Sequence, residues 1–306
     1  MSLRLHGIFP ALITPFRGGD RDEDVDFEAF AGNIGLLNAT GLTGFVVLGS
    51  NGECVSLSWD EALGLVRKAR GAAAPGKLVI AGTGQESTGL TIDFTNAAAG
   101  LGADAALVRP PGYFKARMTR EALKRHYLAV ADAARIPVIL YNIPQNTGVV
   151  IEPSLVVELS AHPNIIGIKD SSGSLSNLEE IVRRVAADFS CFVGSGYLIL
   201  PALVMGARGA ILGVANAAPD HCVRIYELFR QGKVEEAAAL QLDIVPLNKA
   251  VMDTYGIPGL KYAVSLIGQK GGRARPPLLP LAEVGPAEIS RLMSELLGNK
   301  IGVQYT

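Results

Sequence analysis

The chain has 306 residues, of which 49% are hydrophobic and 19% charged, and its formal net charge is −1. A balance this close to neutral argues against nucleic acid or an anionic membrane surface as a partner. Three widely spaced cysteines (Cys54, Cys191, Cys222) and four scattered histidines (His6, His126, His162, His221) give neither a disulfide framework nor a metal-ligand pattern, so a reducing cytoplasm and no metal or other cofactor are expected.

From the N-terminus, short apolar runs alternate with segments of helical period. The runs are Gly7–Phe16, Gly44–Ser50, Leu78–Gly84, Ala105–Pro110, Pro137–Ile143, Ile165–Ser171, Ser190–Gly196 and Gly209–Ala215. Between and after them lie helical segments at Asp24–Ala39, Ser58–Ala73, Ser87–Leu101, Thr119–Ala134, Pro153–Ser160, Ser174–Ala187, Tyr197–Met205 and Pro219–Arg230. Ser58 followed by Glu61 is a capping-box signal, and Pro153 and Pro219 suit a first helical turn. The apolar stretch Ile8–Phe16 is interrupted by Pro10 and Pro15, and Pro201–Pro219 carries Arg208, so neither reads as a signal or a membrane span.

The runs are nearly continuous in apolarity, as in parallel strands covered by helices on both faces. Eight such units predict a TIM (β/α)8 barrel, with an open doubly wound sheet as the alternative. Past residue 230 the alternation stops. Lys233–Ala250, Pro258–Ile267 and Pro286–Leu297 read as helices. Residues 1–230 are therefore expected to form the barrel, and 231–306 a three-helix C-terminal extension packed on it.

In such a barrel chemistry sits at the C-terminal strand ends. The second run ends in Gly49-Ser50-Asn51-Gly52-Glu53, the fifth in Tyr141-Asn142, the sixth in Lys169-Asp170-Ser171-Ser172 and the seventh in Gly194-Ser195-Gly196. Lys169 follows the apolar Ile165–Ile168. Apolar surroundings disfavour an ammonium and supply the nucleophilic amine that imine formation needs. Its plain alternative is a lysine paired with Asp170, although strand alternation turns Asp170 to the other face. Tyr141 ends the neighbouring strand and offers a phenol for proton transfer; otherwise it caps the core. The Gly49–Glu53 turn can hold a carboxylate through oriented N–H groups and the Ser50 and Asn51 side chains, or is an ordinary turn. Gly82-Thr83-Gly84-Gln85-Glu86-Ser87 only partly matches a dinucleotide loop, and Ser195 has no histidine at a strand end to serve it.

Together these pieces resemble the dihydrodipicolinate synthase and N-acetylneuraminate lyase family of class I aldolases over essentially the whole chain. The match rests on Gly49–Glu53, Tyr141-Asn142-Ile143-Pro144, Asn146-Thr147-Gly148, Gly167–Ser171 and Gly194–Gly196. The resemblance implies that Lys169 forms an imine with pyruvate, that Tyr141 and Ser50 relay protons, and that Tyr113, in the fourth loop after Pro110-Pro111-Gly112, supplies the second relay tyrosine to a neighbouring subunit. It implies Ser50, Asn51, Gly49, Ser171, Gly194 and Leu212 as the substrate-binding set, small-molecule substrates, and a homotetramer built as a dimer of dimers. Asp170 and Glu53 are expected to be structural.

Two departures bear on the aldehyde partner. Dihydrodipicolinate synthases usually carry Thr-Thr at Ser50-Asn51 and an arginine at Asn146. Losing that planar donor weakens recognition of the carboxylate of aspartate semialdehyde. Together with Gly256-Ile257-Pro258-Gly259-Leu260-Lys261, the motifs look most like 4-hydroxy-2-oxoglutarate aldolase, which yields pyruvate and glyoxylate. Dihydrodipicolinate synthase or another 2-oxo-acid aldolase or hydratase-aldolase is the alternative. A catalytically silent barrel acting as a binding protein and a metal-dependent barrel aldolase also stay open.

Overall fold

The computed structural model describes residues 3–18 and 24–298; the last eight residues of the expected extension lie outside them. The first half of the chain forms β1 (Gly7–Pro10), α1 (Phe27–Asn38), β2 (Gly44–Val47), α2 (Trp59–Ala72), β3 (Leu78–Gly82), α3 (Thr88–Gly100), β4 (Ala105–Val108), α4 (Arg120–Ala133) and β5 (Val138–Asn142). A single turn α5 (Pro144–Thr147) leads to α6 (Pro153–Leu159), β6 (Ile165–Asp170), α7 (Leu175–Val182), β7 (Ser190–Val193), α8 (Ile199–Val204), β8 (Gly209–Leu212) and α9 (Pro219–Arg230). The remainder is helical: α10 (Val234–Asn248), a π-helical stretch Lys249–Thr254, α11 (Gly256–Ser265) and α12 (Gly285–Leu297).

The eight strands form one parallel sheet in the order β1-β8-β7-β6-β5-β4-β3-β2. Its edges meet: Ala11 bridges Val46, and the Leu12 N–H donates to the Val46 carbonyl at 2.9 Å. The sheet is thus a barrel, and the open doubly wound alternative falls away. The two-residue alternation of strands explains its filling. Phe9, Val46, Ile80, Leu107, Ile139, Phe192 and Ile211 pack inside. Their neighbours, such as Ile8, Val47, Val79, Val108, Leu140, Cys191 and Leu212, face the helices in the outer layer. Across the interior the Phe9 and Phe192 rings meet edge to face, with centroids 5.8 Å apart.

Local signals set the helix starts. Ser58 and Glu61 close the expected capping box, and the Thr119 and Ser87 side chains accept from the Ala122 and Leu90 N–H groups. The strands are shorter than the apolar runs. Pro10 has no N–H to continue β1, and Leu48 leaves the extended region with φ 62°. The π-helical stretch was not legible in the sequence. It follows Pro246, which lies inside α10 and lacks the N–H that would keep an α-helical ladder regular. The Tyr255 N–H donates to the Ala250 carbonyl five residues back.

Candidate active site

The strand ends open onto a cavity of about 410 Å³. Its lining includes Ser50, Asn51, Tyr141, Asn146, Lys169, Ser171 and Gly194 from the barrel. Tyr197, Asn248, Met252, Asp253 and Ile257 complete the wall. Among the described residues, Lys169 is its one cationic and Asp253 its one anionic side chain.

Lys169 and Tyr141 are register partners on adjacent strands, so both project inward at the same height. Lys169 is 4% exposed, and its Nζ lies 3.3 Å from the Tyr141 hydroxyl and 4.4 Å from the centroid of that ring. The same hydroxyl lies 3.5 Å from Ser50 Oγ. An amine, a phenol and an alcohol thus form one continuous polar chain at the barrel mouth. Such a chain can attack a carbonyl and move protons without bulk water.

Ser50 and Asn51 sit in a 3-10 turn, Ser50–Gly52, at the end of β2. The turn is terminated by Glu53 in the left-handed region, φ 54°. A non-glycine residue there carries strain, and a buried clamp holds it. Glu53 Oε1 lies 2.5 Å from Lys261 Nζ, each side chain 1% exposed, and Glu53 Oε2 accepts from the Arg275 N–H at 2.8 Å. Burial lowers the affinity of Lys261 for its proton. The Arg275 guanidinium grips Glu61 with two hydrogen bonds, at 2.6 and 3.0 Å, and holds that carboxyl below the usual range. The catalytic-side turn is therefore tied to the C-terminal extension by charge.

Asp170 faces away from Lys169. Its Oδ1 accepts from Asn142 Nδ2 at 3.0 Å and from the Ser172 N–H at 2.8 Å, and this fixes the β5 and β6 ends side by side. Ser171 and Gly194 line the cavity back to back. A Cβ on Gly194 would come within 1.8 Å of Ser171 Oγ and 3.0 Å of Lys169 Cε, so a side chain there would fill the space around the amine.

Three expected site residues lie elsewhere. Leu212 ends β8 with its side chain in the outer layer against the helices, because one step along a strand reverses the facing. Gly49 backs the turn against Ala11 and Val46 rather than lining the cavity. Tyr113 is 81% exposed, outside the cavity of its own chain, with its ring edge to face on Phe114. Its loop is anchored by Glu86, which accepts from the Gly112 and Tyr113 N–H groups at 2.9 Å each and pairs with Arg109 at 2.8 Å. That is the work of the Gly82–Ser87 segment.

Other lining residues carried no mark in the sequence. Tyr197 lies in the 3-10 turn Gly196–Leu198 that leads into α8, and Asn248, Met252 and Asp253 belong to the extension. The Tyr197 hydroxyl donates to Asp253 Oδ2 at 2.5 Å. Partial burial, and then this carboxylate, push the phenol up to about 12. Asn248 is 2% exposed. Among the described residues there is no group of three or more His, Cys, Asp or Glu that could hold a metal ion, and no helix is long and apolar enough to cross a membrane.

Comparison with known proteins fits this arrangement. The profile of the dihydrodipicolinate synthetase family matches residues 4–296. A 4-hydroxy-tetrahydrodipicolinate synthase of Methanosphaerula palustris is 36% identical over 293 residues, covering 95% of this chain and 98% of the relative. One from Archaeoglobus fulgidus is 36% identical over 292 residues, covering 95% and 98%. The crystal structure of a dihydrodipicolinate synthase from Bacillus anthracis superposes with a TM-score of 0.90 at 30% identity, covering 96% of this chain and 99% of that one. YagE of E. coli K12, a prophage protein of the same family solved in complex with pyruvate, gives 0.88 at 31% identity, covering 95% and 98%. These relatives do not support the expected closeness to 4-hydroxy-2-oxoglutarate aldolase; the synthases among them carry the name of the alternative. The chain belongs to the dihydrodipicolinate synthetase family of class I, Schiff-base carbon–carbon lyases.

Proposed function

We propose that this protein condenses pyruvate with an aldehyde through an imine on Lys169, and that the aldehyde is aspartate semialdehyde, as in 4-hydroxy-tetrahydrodipicolinate synthases. The polar chain Lys169–Tyr141–Ser50 carries the mechanism; the names of the relatives support the acceptor.

The Lys169 amine adds to the oxo carbon of pyruvate. Tyr141 delivers a proton to the carbinolamine oxygen, and water leaves. The iminium withdraws electrons, so the Tyr141 phenolate left by that delivery takes a proton from the methyl carbon to give an enamine. That carbon attacks the aldehyde carbon, and the aldehyde oxygen takes a proton through Tyr141 and Ser50. Water then adds to the new imine and frees the lysine. Ser50 and Asn51 hold the pyruvate carboxylate at the 3-10 turn, and Ser171 and Gly194 shape the floor. Gly49 supports the turn, and Leu212 supports β8 from the outer layer. Tyr113, directed away from its own cavity, serves the site of a second copy within a homotetramer. In this reading residues 1–230 supply the reacting groups, and the extension from residue 231 completes the acceptor wall.

One observation favours a second acceptor. Asn146 lines the cavity where a carboxylate clamp would be needed, and among the described residues no arginine lines it. An aldehyde held without charge-assisted carboxylate contacts would suit this wall better. Borohydride reduction with pyruvate, followed by peptide mapping, tests the core of the proposal. An adduct on Lys169 is expected; an adduct elsewhere, or none, would sink it. Acceptor assays with aspartate semialdehyde and with propionaldehyde, which bears no carboxylate, then decide between the two readings.

A further inference from the structure

The part of the cavity wall built by the C-terminal extension has an unusual polarity. Asn248 is 2% exposed and lines the cavity, yet its Oδ1 has no hydrogen-bond partner. A buried carbonyl oxygen left without a donor costs about 1–3 kcal/mol, so such an atom marks a place where a donor belongs. Gly196 makes room for it: a Cβ there would lie 2.2 Å from Asn248 Oδ1. Asp253 lines the same wall from the π-helical stretch, a feature that often accompanies functional positions. Its carboxylate already accepts from the Tyr197 hydroxyl, which fixes it at the cavity rim. The wall thus presents an amide oxygen and a carboxylate, both acceptors, and among the described residues no cation beyond Lys169.

We infer that Asn248 and Asp253 form a subsite for a hydrogen-bond donor on the acceptor aldehyde, best satisfied by an ammonium group. This rests on the pyruvate-lyase reading above and deepens it. An aldehyde with an amino substituent would be recognised through its positive end, in a site where, among the described residues, no arginine meets its negative end. Tyr197 positions the carboxylate. A hydroxyl substituent would be accepted less well, because it offers a neutral donor to the carboxylate.

The test uses the full-length enzyme, pyruvate, and three four-carbon semialdehydes alike except at the carbon next to the carboxylate, which bears ammonium, hydroxyl or hydrogen. The kcat/KM order expected is ammonium, hydroxyl, hydrogen. A charge-assisted hydrogen bond predicts about tenfold or more between the first and the last. In Asp253→Asn that ratio should collapse toward the hydroxyl value, a change that a general loss of folding would not produce. Equal use of the three aldehydes, or the same ratio in Asp253→Asn, overturns the subsite. Borohydride trapping in the same preparations separates the two levels of the argument. No pyruvate adduct overturns the pyruvate reading. An adduct on Lys169 with indifference to the substituent, or with no turnover of any of the three, overturns the donor subsite while leaving the imine chemistry standing.

Discussion

Replacing Lys261 by Met removes one half of a buried ion pair and keeps most of the length of the side chain. Lys261 and Glu53 are each 1% exposed and 2.5 Å apart, so the variant leaves a carboxylate in a site with almost no water. Breaking a buried pair from one side costs about 3–5 kcal/mol. Arg275 softens the loss in two ways. The Arg275 N–H still donates to Glu53 Oε2 at 2.8 Å, and its guanidinium lies 4.3 Å from the Phe16 ring that also faces Lys261. The lower end, about 3 kcal/mol, is therefore expected. In a chain of this size that corresponds to a melting temperature lowered by about 5 °C. The double variant Glu53→Gln/Lys261→Met lacks both charges of that pair, and should recover most of that stability. Thermal unfolding followed by circular dichroism measures both. Pyruvate KM provides a second reading, because Glu53 ends the turn that carries Ser50 and Asn51; it should rise in the single variant. If the single and double variants melt together, the loss belongs to packing and the charge argument is wrong.

Three further outcomes are expected. Tyr141→Phe should lower kcat by about 10²- to 10⁴-fold, while borohydride still traps pyruvate on Lys169; loss of both together would mean that the ring, not the hydroxyl, is what matters. Gly194→Ala should abolish most activity and destabilise by about 1–3 kcal/mol through overpacking, since its methyl group falls 1.8 Å from Ser171 Oγ; normal kinetics in this variant would show that the floor can move. His126, 5% exposed with Nδ1 3.0 Å from Thr88 Oγ1, is held down to about 4 by burial, from 6.5. The unfolded chain then binds the extra proton first, so this contribution is complete above pH 6.5 and disappears as the pH falls to about 4, with a ceiling of about 3 kcal/mol. Urea unfolding across that range should be steeper in pH for the wild type than for His126→Gln, and parallel curves would contradict it.

Most of the barrel was readable because its causes are local. Strands buried on both faces cannot alternate with polar residues, so each appears as an unbroken apolar run. Ser58, Thr119, Pro153 and Pro219 announce helix starts through capping chemistry that involves only a few residues. Lys169 and Tyr141 were readable for the same reason, since a polar residue ending an apolar strand has one place to go. The departures have a physical cause as well. The resemblance put Leu212 in the substrate-binding set, and one residue of register turns it outward. Asn248 and Asp253 were missed because the wall they form is assembled from the extension, with no periodicity linking it to the strand ends.

What the sequence determined by itself is the set of side chains at the centre of the cavity and the architecture that holds it. Both follow from side-chain type and from periods of two and 3.6 residues along the chain. What only the tertiary structure decided is the surroundings of that centre: the clamp of Glu53 on Lys261 across 208 residues, the outward turn of Leu212, the exposure of Tyr113, and the acceptor-rich wall of Asn248 and Asp253. These depend on which distant segments share a space, and packing, not local preference, sets that.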